Sequence, residues 1–205
     1  MNKKSLAITL SKLQAPKTFS PSLEQYQTDS ELAAEIVWLA CLNKDVKNKT
    51  IADLGCGNGI FGIACLLLEA KKVYFIDKDK EMISIAKKNV SDLSKDSKAI
   101  FINKDVTEFN KKVDTVIQNP PFGVQKRKAD KEFLLKAFEI SNKIYSLHKI
   151  ESDKFILKLA SENKFKVKNI LKLDFVLKKT MKFHKKPKYK FKVGLWVLEK
   201  ANRKL

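Results

Sequence analysis

A glycine-rich run constrains the fold of this chain more than any other feature of its sequence. The run Asp53-Leu54-Gly55-Cys56-Gly57-Asn58-Gly59 overlaps the end of an apolar stretch, Ile51 to Leu54, that is typical of a buried strand. Its three glycines allow a tight turn and a close approach of the backbone to a ligand. A helix beginning at Gly59 directs its N-terminal N–H groups at that ligand. The run therefore predicts a strand–turn–helix unit that binds a small molecule.

Strand-like and helix-like segments alternate after this point. Strands are predicted at 50–54, 72–77, 99–102, 113–118 and 143–148, and helices at 59–70, 79–90, 129–141 and 151–163. This alternation is typical of a doubly wound, mostly parallel sheet. The runs 165–178 and 190–199 have no helix between them and predict an antiparallel hairpin at one sheet edge. We therefore expect a Rossmann-like α/β fold with a seven-stranded, mostly parallel sheet and an antiparallel C-terminal hairpin.

The N-terminal part of the chain is predicted to be helical. Leu6, Leu10 and Leu13 have helical spacing within residues 3–15, and Asp29 or Ser30 can cap a second helix that ends near residue 41. The length of 205 residues suits one sizeable core. We expect a single domain over 1–205 with a short helical extension at about 1–22.

The glycine run can be read in two registers. Gly57 to Gly62 matches the GxGxxG pattern of dinucleotide sites. The strand, however, ends at Leu54, so the register Asp-x-Gly-x-Gly-x-Gly begins with Asp53 at the strand end. A carboxylate there attracts a cationic amino-acid group and repels a pyrophosphate. S-adenosylmethionine carries an ammonium and a sulfonium, whereas NAD carries a pyrophosphate, so the charge favours S-adenosylmethionine.

Two later acidic residues are expected near the same ligand. Asp77 ends the second predicted strand, where a carboxylate can accept hydrogen bonds from both hydroxyls of a ribose. Asp105 follows the third strand and could bind an adenine amine, while the backbone N–H of Val106 meets a ring nitrogen. Asp is also common at strand ends for reasons of turn geometry, and only the order after the glycine run favours ligand contacts.

The tetrapeptide Asn119-Pro120-Pro121-Phe122 follows the fourth predicted strand, at the edge where α/β sheets bind ligands. The Asn119 side-chain oxygen and the Pro120 carbonyl can each accept an N–H of a planar amine. This draws the nitrogen out of conjugation and aims its lone pair at a methyl donor. The prolines hold both acceptors in place, and Phe122 can stack on a flipped base. The loop predicts methyl transfer to a planar amine such as adenine N6.

An excess of positive charge points to a polyanionic partner. The chain has 42 Lys and Arg against 23 Asp and Glu, a net charge of +19, which suits nucleic acid. A compositional habit of the source genome or a hot habitat stays open as an explanation. Within residues 178–192, cations and aromatics alternate, as suits phosphate contact and base stacking; a solvated hairpin is the alternative. The predicted RNA-contacting residues are Lys126, Arg127, Lys128, Lys182, Phe183, His184, Lys185 and Lys186.

The cysteine content and the hydropathy indicate the cellular compartment. Cys41, Cys56 and Cys65 are odd in number and lack CxxC spacing, so we expect neither a disulfide scaffold nor a metal site. The longest apolar run, 60–68, is too short to span a bilayer, and no signal peptide is evident. A cytoplasmic location is expected. His148 ends an apolar strand and is interpreted as a structural histidine rather than a base.

Several strings together resemble the methyltransferase-like protein 5 family, adenine-N6 methyltransferases of small-subunit ribosomal RNA. Beyond the glycine run and the Asn-Pro-Pro-Phe loop, the resemblance lies in Leu23-Glu24-Gln25-Tyr26, Tyr145-Ser146-Leu147-His148-Lys149 and Lys182-Phe183-His184-Lys185-Lys186. It implies a class I methyltransferase fold, S-adenosylmethionine as cofactor, Asn119 to Phe122 as catalytic loop, and a small zinc-ribbon activator protein as partner along the sheet edge. The glycine run and the resemblance together predict the cofactor-binding residues, which are Gln25, Tyr26, Thr28, Asp53, Gly55, Gly57, Asn58, Gly59, Ile60, Asp77, Asp105 and Val106.

Three other functions stay open at this point. The planar amine could belong to a protein glutamine or to DNA adenine. The pattern from Gly57 to Gly62 could serve an NAD-dependent oxidoreductase. The chain could also be a noncatalytic RNA-binding or assembly module.

Overall fold

Seven strands pair into one sheet within the residues described by the computed structural model, which are 1–16, 28–121, 129–178 and 188–201. Within these ranges, only the backbone is described for 174–178 and 188–191. The strands are β1 Thr50–Leu54, β2 Lys72–Asp77, β3 Ala99–Asn103, β4 Thr115–Gln118, β5 Lys143–Lys149, β6 Phe165–Lys178 and β7 Lys188–Lys200. The helices are α1 Lys3–Leu10, α2 Ser30–Leu42, α3 Ile60–Leu67, α4 Lys80–Ser91, α5 Ala129–Ile140 and α6 Asp153–Glu162.

The strand order is β3-β2-β1-β4-β5-β7-β6. The first five strands are parallel to one another, and β7 runs antiparallel to both β5 and β6. The predicted mostly parallel sheet with an antiparallel C-terminal hairpin is therefore confirmed. The order reverses between β1 and β4, which is the switch point where open α/β sheets bind ligands.

Apolar side chains fill both faces of the sheet because the two faces are covered by helices. On β4, Val116 contributes to the core beneath α5 and α6, and Ile117 contributes to the core beneath α1, α2, α3 and α4. Successive strand residues point to opposite faces, so a strand buried on both sides must be apolar at nearly every position. This explains the continuous burial from Ile51 to Leu54.

The N-terminal helix is shorter than the sequence predicts. It begins at a capping box in which Asn2 and Ser5 exchange hydrogen bonds and buries Leu6 and Leu10 against the core. After Leu10 the chain tightens into i→i+3 hydrogen bonds, such as Leu13 N–H to the Leu10 carbonyl, which end an α-helix. Asp29 caps α2 by accepting from two backbone N–H groups. Among the helices described, none has both the length and the apolar composition needed to cross a bilayer.

Candidate active site

The glycine turn and the Asn-Pro-Pro loop begin side by side at the carboxyl edge of the sheet. Leu54 of β1 is paired with Gln118 of β4, so Gly55 and Asn119 are the first residues beyond two adjacent strands. Adjacent strands lie about 4.8 Å apart. The two sequence motifs, which are distant in the chain, are therefore neighbours in the fold.

The glycine turn has a backbone that favours glycine. Gly55, Gly57 and Gly59 have φ angles of 68°, 53° and 87°, in the left-handed region that side chains disfavour. A Cβ at Gly55 would meet the Phe133 ring at 2.8 Å, whereas a Cβ at Gly57 would have no atom within 4 Å. The turn is thus packed by Phe133 on one side and open at Gly57. Phe133 was not among the predicted site residues, because a lone Phe within a helical pattern carries no functional signal.

Asp77, at the end of β2, holds the glycine turn. One carboxylate oxygen accepts from Gly57 N–H at 2.9 Å, and the other accepts from Asp79 N–H at 2.9 Å. Burial raises the pKa of Asp77, and the two backbone donors act in the opposite direction. A carboxylate oxygen has two lone pairs, so each can still accept from a hydroxyl group. The carboxylate is therefore placed next to the open side of the turn.

Asp53 is almost completely buried beneath the turn, at 1% exposure. Its Oδ2 accepts from Gly62 N–H at 2.8 Å. Its Oδ1 is buried and has no hydrogen-bond partner among the described residues. Burial raises the pKa of Asp53 to about 7, with a smaller contribution from the negative charge of Asp77. A cationic group at this site would reverse that shift.

Asn58 makes hydrogen bonds to other parts of the chain. The side-chain amide donates to the Gln14 carbonyl at 3.1 Å, and the Asn58 carbonyl accepts from Asn89 Nδ2 at 3.0 Å. Ile60 follows Gly59 as the first residue of α3, where backbone N–H groups lack intrahelical acceptors. Contacts of Asn58 and Ile60 with a cofactor stay predictions.

Asp105 and Val106 lie just beyond β3. Asp105 caps a short 3-10 turn, and its Oδ1 accepts from the Thr107 N–H and hydroxyl. Val106 begins that turn and is buried. The predicted adenine contacts therefore sit on a segment with a fixed local conformation, on the side of the sheet that carries Asp77.

Asn119 has an amide group of fixed orientation. Its Nδ2 donates to the Thr28 hydroxyl at 3.0 Å, and Thr28 is itself buried. Its Oδ1 is buried and has no hydrogen-bond partner within the described part of the chain. Pro120 is buried and Pro121 is half-buried. Within the described residues, the loop thus has one strong acceptor without a donor, at the edge of the sheet next to the glycine turn.

A buried polar chain supports the loop from the other face of the sheet. Gln118 Nε2 donates to the Ser146 hydroxyl oxygen at 2.9 Å, and that oxygen lies 2.7 Å from His148 Nε2. Burial lowers the pKa of His148 to about 3, so the ring is neutral and its Nε2 can accept from the Ser146 hydroxyl. This arrangement agrees with a structural role for His148. Ser146 belongs to one of the strings that carry the family resemblance, but no sequence pattern predicted its hydrogen bond to Gln118, which has the pattern of an ordinary strand residue.

Other predicted site residues lie outside the described ranges. They are Gln25, Tyr26, Phe122, Lys126, Arg127, Lys128, Lys182, Phe183, His184, Lys185 and Lys186. The backbone that leads to the last group is described. Past the final β5–β7 pair, Lys149 with Val193, strands β6 and β7 pair at five more positions, from Asp174–Lys192 to Lys178–Lys188. This two-stranded ribbon extends beyond the carboxyl end of β5, at the sheet edge that carries Gly55 and Asn119.

Comparisons with known proteins bear on the family and the fold. The family model for the methyltransferase small domain matches residues 32–191. The rRNA N(6)-adenosine-methyltransferase METTL5 of Danio rerio is 34% identical over 171 residues, which are 80% of this chain and 82% of that protein. An uncharacterised protein of Methanocaldococcus jannaschii is 35% identical over 98% of this chain and 95% of its own length. Among solved structures, a proposed RNA methyltransferase of Pyrococcus horikoshii has a TM-score of 0.92 and 40% identity, covering 98% of this chain and 99% of that one.

Proposed function

This chain belongs to the methyltransferase small domain family and, within it, to the METTL5-like enzymes, which are S-adenosylmethionine-dependent methyltransferases, and from that membership we propose that it methylates N6 of adenine in ribosomal RNA. Relatives from fish, fly and nematode carry the name of this activity. We further propose small-subunit RNA as the substrate, as the family resemblance implies.

The observation that carries the proposal is Asn119 Oδ1, which is buried and has no hydrogen-bond partner among the described residues. A buried carbonyl oxygen without a partner costs about 1–3 kcal/mol, so an oxygen that lacks one in the described part of the chain supports the proposal of a ligand that supplies the donor. Thr28 binds the NH₂ end of the same amide and so keeps the oxygen directed away from itself. The exocyclic amine of adenine has two N–H donors, one of which fits this acceptor.

In the proposed mechanism, Asn119 Oδ1 and the Pro120 carbonyl each accept one N–H of the adenine amine. The nitrogen lone pair then leaves the ring system and points at the glycine turn. When bound, S-adenosylmethionine supplies an electrophilic methyl group on its sulfonium. Transfer of that group to the amine would break its bond to sulfur, leave neutral S-adenosylhomocysteine and give the methylated nitrogen a positive charge. That nitrogen would then lose a proton to water, so the chain does not need a strong base. This agrees with a neutral, buried His148.

The residues present fit the cofactor in charge and shape. The open side of Gly57 allows close approach of a ligand to the backbone. Asp77 lies where it can accept from ribose hydroxyls, and Asp53 offers a negative charge to an ammonium group. We propose that Asp105 and Val106 contact the adenine of the cofactor, with Gln25, Tyr26 and Thr28 completing the site.

Contact with RNA is supported by charge and by position. The net charge of +19 is spread over a folded chain, and the ribbon of β6 and β7 extends past the edge that carries Asn119. We propose that residues 182–186, between the two strands, and residues 126–128, after the Asn-Pro-Pro-Phe loop, bind the RNA backbone.

A zinc-ribbon activator and a cytoplasmic location complete the proposal. Strand β3 is the last strand at one end of the described sheet, and its residues Ile100, Phe101 and Ile102 are half-buried. Such an edge can pair with a strand of a partner. The three cysteines are free, as suits a reducing compartment.

Nucleoside analysis tests the substrate. The purified protein is incubated with labelled S-adenosylmethionine and unmodified small-subunit or large-subunit rRNA transcripts, with and without a DNA competitor of the same sequence. The RNA is then digested and analysed by mass spectrometry. We expect N6-methyladenosine in the small-subunit RNA and little competition by DNA. Label in another nucleoside, in DNA or in a protein glutamine would contradict the adenine claim, and label confined to large-subunit RNA would contradict the subunit claim.

A further inference from the structure

Asn89, in the middle of the chain, links the glycine turn to the N-terminal segment. Its side chain lies within α4 and is 1% exposed. Asn89 Oδ1 accepts from Gln14 N–H at 2.8 Å. Asn89 Nδ2 donates to the Gln14 carbonyl and to the Asn58 carbonyl, both at 3.0 Å. A single buried amide thus bonds to the backbone of two segments that are far apart in the sequence.

Asn58 adds a fourth hydrogen bond to this set. Its own side-chain amide donates to the Gln14 carbonyl at 3.1 Å, so that carbonyl accepts from both Asn58 and Asn89. Asn58 stands between Gly57 and Gly59, which both have positive φ. Glycines lose the most conformational freedom on folding, so a turn built from them needs bonds that select one conformation. Asn89 and Gln14 supply those bonds.

We propose that Asn89 is a positioning residue for S-adenosylmethionine and acts by holding the Asn58 peptide and the Gln14 backbone against each other. In this conformation Gly57 N–H reaches Asp77, and the turn keeps its open side toward the ligand. Packing of α4 agrees with this role, because Ala86, one helical turn before Asn89, lies 3.2 Å from the position of a Cβ at Gly59.

The N-terminal region also reaches the acceptor loop. Thr28, fourteen residues after Gln14, receives the hydrogen bond from Asn119. The described parts of this region therefore contact both loops of the site, one through Gln14 and the other through Thr28. Its attachment at Asn89 affects the cofactor side, and its attachment at Asn119 affects the acceptor side.

The test is cofactor affinity, measured without any acceptor, so a failure of the RNA proposal would not affect its outcome. Asn89→Ala removes all three bonds of the amide. We expect the Kd for S-adenosylmethionine, measured by calorimetry, to rise at least tenfold. In methyl transfer to RNA, the KM for S-adenosylmethionine should rise in parallel, with kcat at saturating cofactor within threefold of wild type and the KM for RNA unchanged.

Gln14→Ala is the matched control, because every bond of Gln14 to Asn58 and Asn89 uses its backbone. Among the described residues, its side chain bonds only to Asp92, and the cofactor Kd of this variant should stay within twofold of wild type. Asn89→Asp is isosteric and keeps the acceptor for Gln14 N–H but loses both donors, so it gives the same test if the Ala variant does not fold. A cofactor Kd within twofold of wild type in the folded Asn89→Ala or Asn89→Asp variant would overturn the proposal.

Discussion

Among the described residues, four buried side-chain polar atoms have no hydrogen-bond partner: Asp53 Oδ1, Gln118 Oε1, Asn119 Oδ1 and Trp196 Nε1. Asp53 Oδ1 and Asn119 Oδ1 are without partners among the described residues, while the other end of each side chain is bound by the protein. In most proteins buried polar atoms are satisfied. Asp53, Gln118 and Asn119 lie at the ends of the adjacent strands β1 and β4, next to the glycine turn and the Asn-Pro-Pro loop, whereas Trp196 lies on β7. Three of the four atoms therefore cluster where the two sequence motifs meet, and we propose that Asp53 and Asn119 use theirs to bind ligands.

Asp53 should make stability depend on pH in a predictable direction. Its folded-state pKa of about 7 is above the value of about 3.9 expected in an unfolded chain. Between these values the folded state keeps a proton that the unfolded state has lost, so stability falls as pH rises from about 4 to about 7. Asp53→Asn carries no charge and keeps an oxygen for Gly62 N–H.

We expect Asp53→Asn to be more stable than wild type at pH 8, by up to about 4 kcal/mol, with a difference that shrinks toward zero near pH 4. Urea unfolding without cofactor at several pH values measures this. The same variant should bind S-adenosylmethionine more weakly at pH 8. A difference in unfolding free energy between the two proteins that stays constant across the pH range would contradict the raised pKa of Asp53.

At the scale of elements, the sequence predicts where the strands begin and end better than it predicts the order in which they pair. The bounds of β1, β2 and β6 match the predicted runs, because β1 and β2 are short, mostly apolar stretches and apolar and polar residues alternate over much of β6. The insertion of β7 between β5 and β6 was not predicted beyond a hairpin at one sheet edge, since strand order depends on pairing between distant segments.

The same limit applies to the site. Glycine and Asn-Pro-Pro motifs are contiguous and could be recognised from the sequence. Asn89 could not be recognised, because its partner Gln14 is 75 residues away and an Asn within a helix gives no signal. Thr28 entered only through the family resemblance, and its bond to Asn119 spans 91 residues. Contacts between distant segments are set by packing of the whole fold.

The ribbon of β6 and β7 should be separable from cofactor binding. Replacing residues 174–192 with a short turn keeps the pairing of Leu173 with Val193 and leaves the glycine turn intact. We expect RNA affinity to fall at least tenfold by filter binding, since many phosphate contacts would be lost, and the cofactor Kd to stay within twofold. The control is the double variant Lys44→Gln and Lys71→Gln. Both lysines are exposed and precede the amino ends of strands, at the edge of the sheet opposite to the ribbon. An RNA affinity that falls equally in the control would contradict a specific role for the ribbon.

At the scale of the whole molecule, the charge excess has two explanations that differ in salt dependence. If basic residues bind RNA phosphates, counterions are released and affinity falls steeply with salt. If the excess of basic residues only reflects genome composition, RNA affinity should not depend steeply on salt. We expect the RNA Kd to rise by roughly 10²-fold or more between 50 and 200 mM salt, and the S-adenosylmethionine Kd to change less than threefold. A flat RNA curve would favour the compositional explanation.

The most direct test of the account is the Asn119→Ala variant, assayed for N6-methyladenosine formation on small-subunit rRNA beside calorimetric binding of S-adenosylmethionine. Removing the amide oxygen should lower kcat by about 10²–10³-fold, as for loss of one preorganised group at a reacting centre, and leave the cofactor Kd within twofold. Thr28→Val, which keeps the oxygen but loses the hydroxyl that orients the amide, should have an intermediate kcat. Methyl transfer by Asn119→Ala at the wild-type rate, or an equal loss of turnover and cofactor affinity, would contradict the claim that this oxygen binds the acceptor amine.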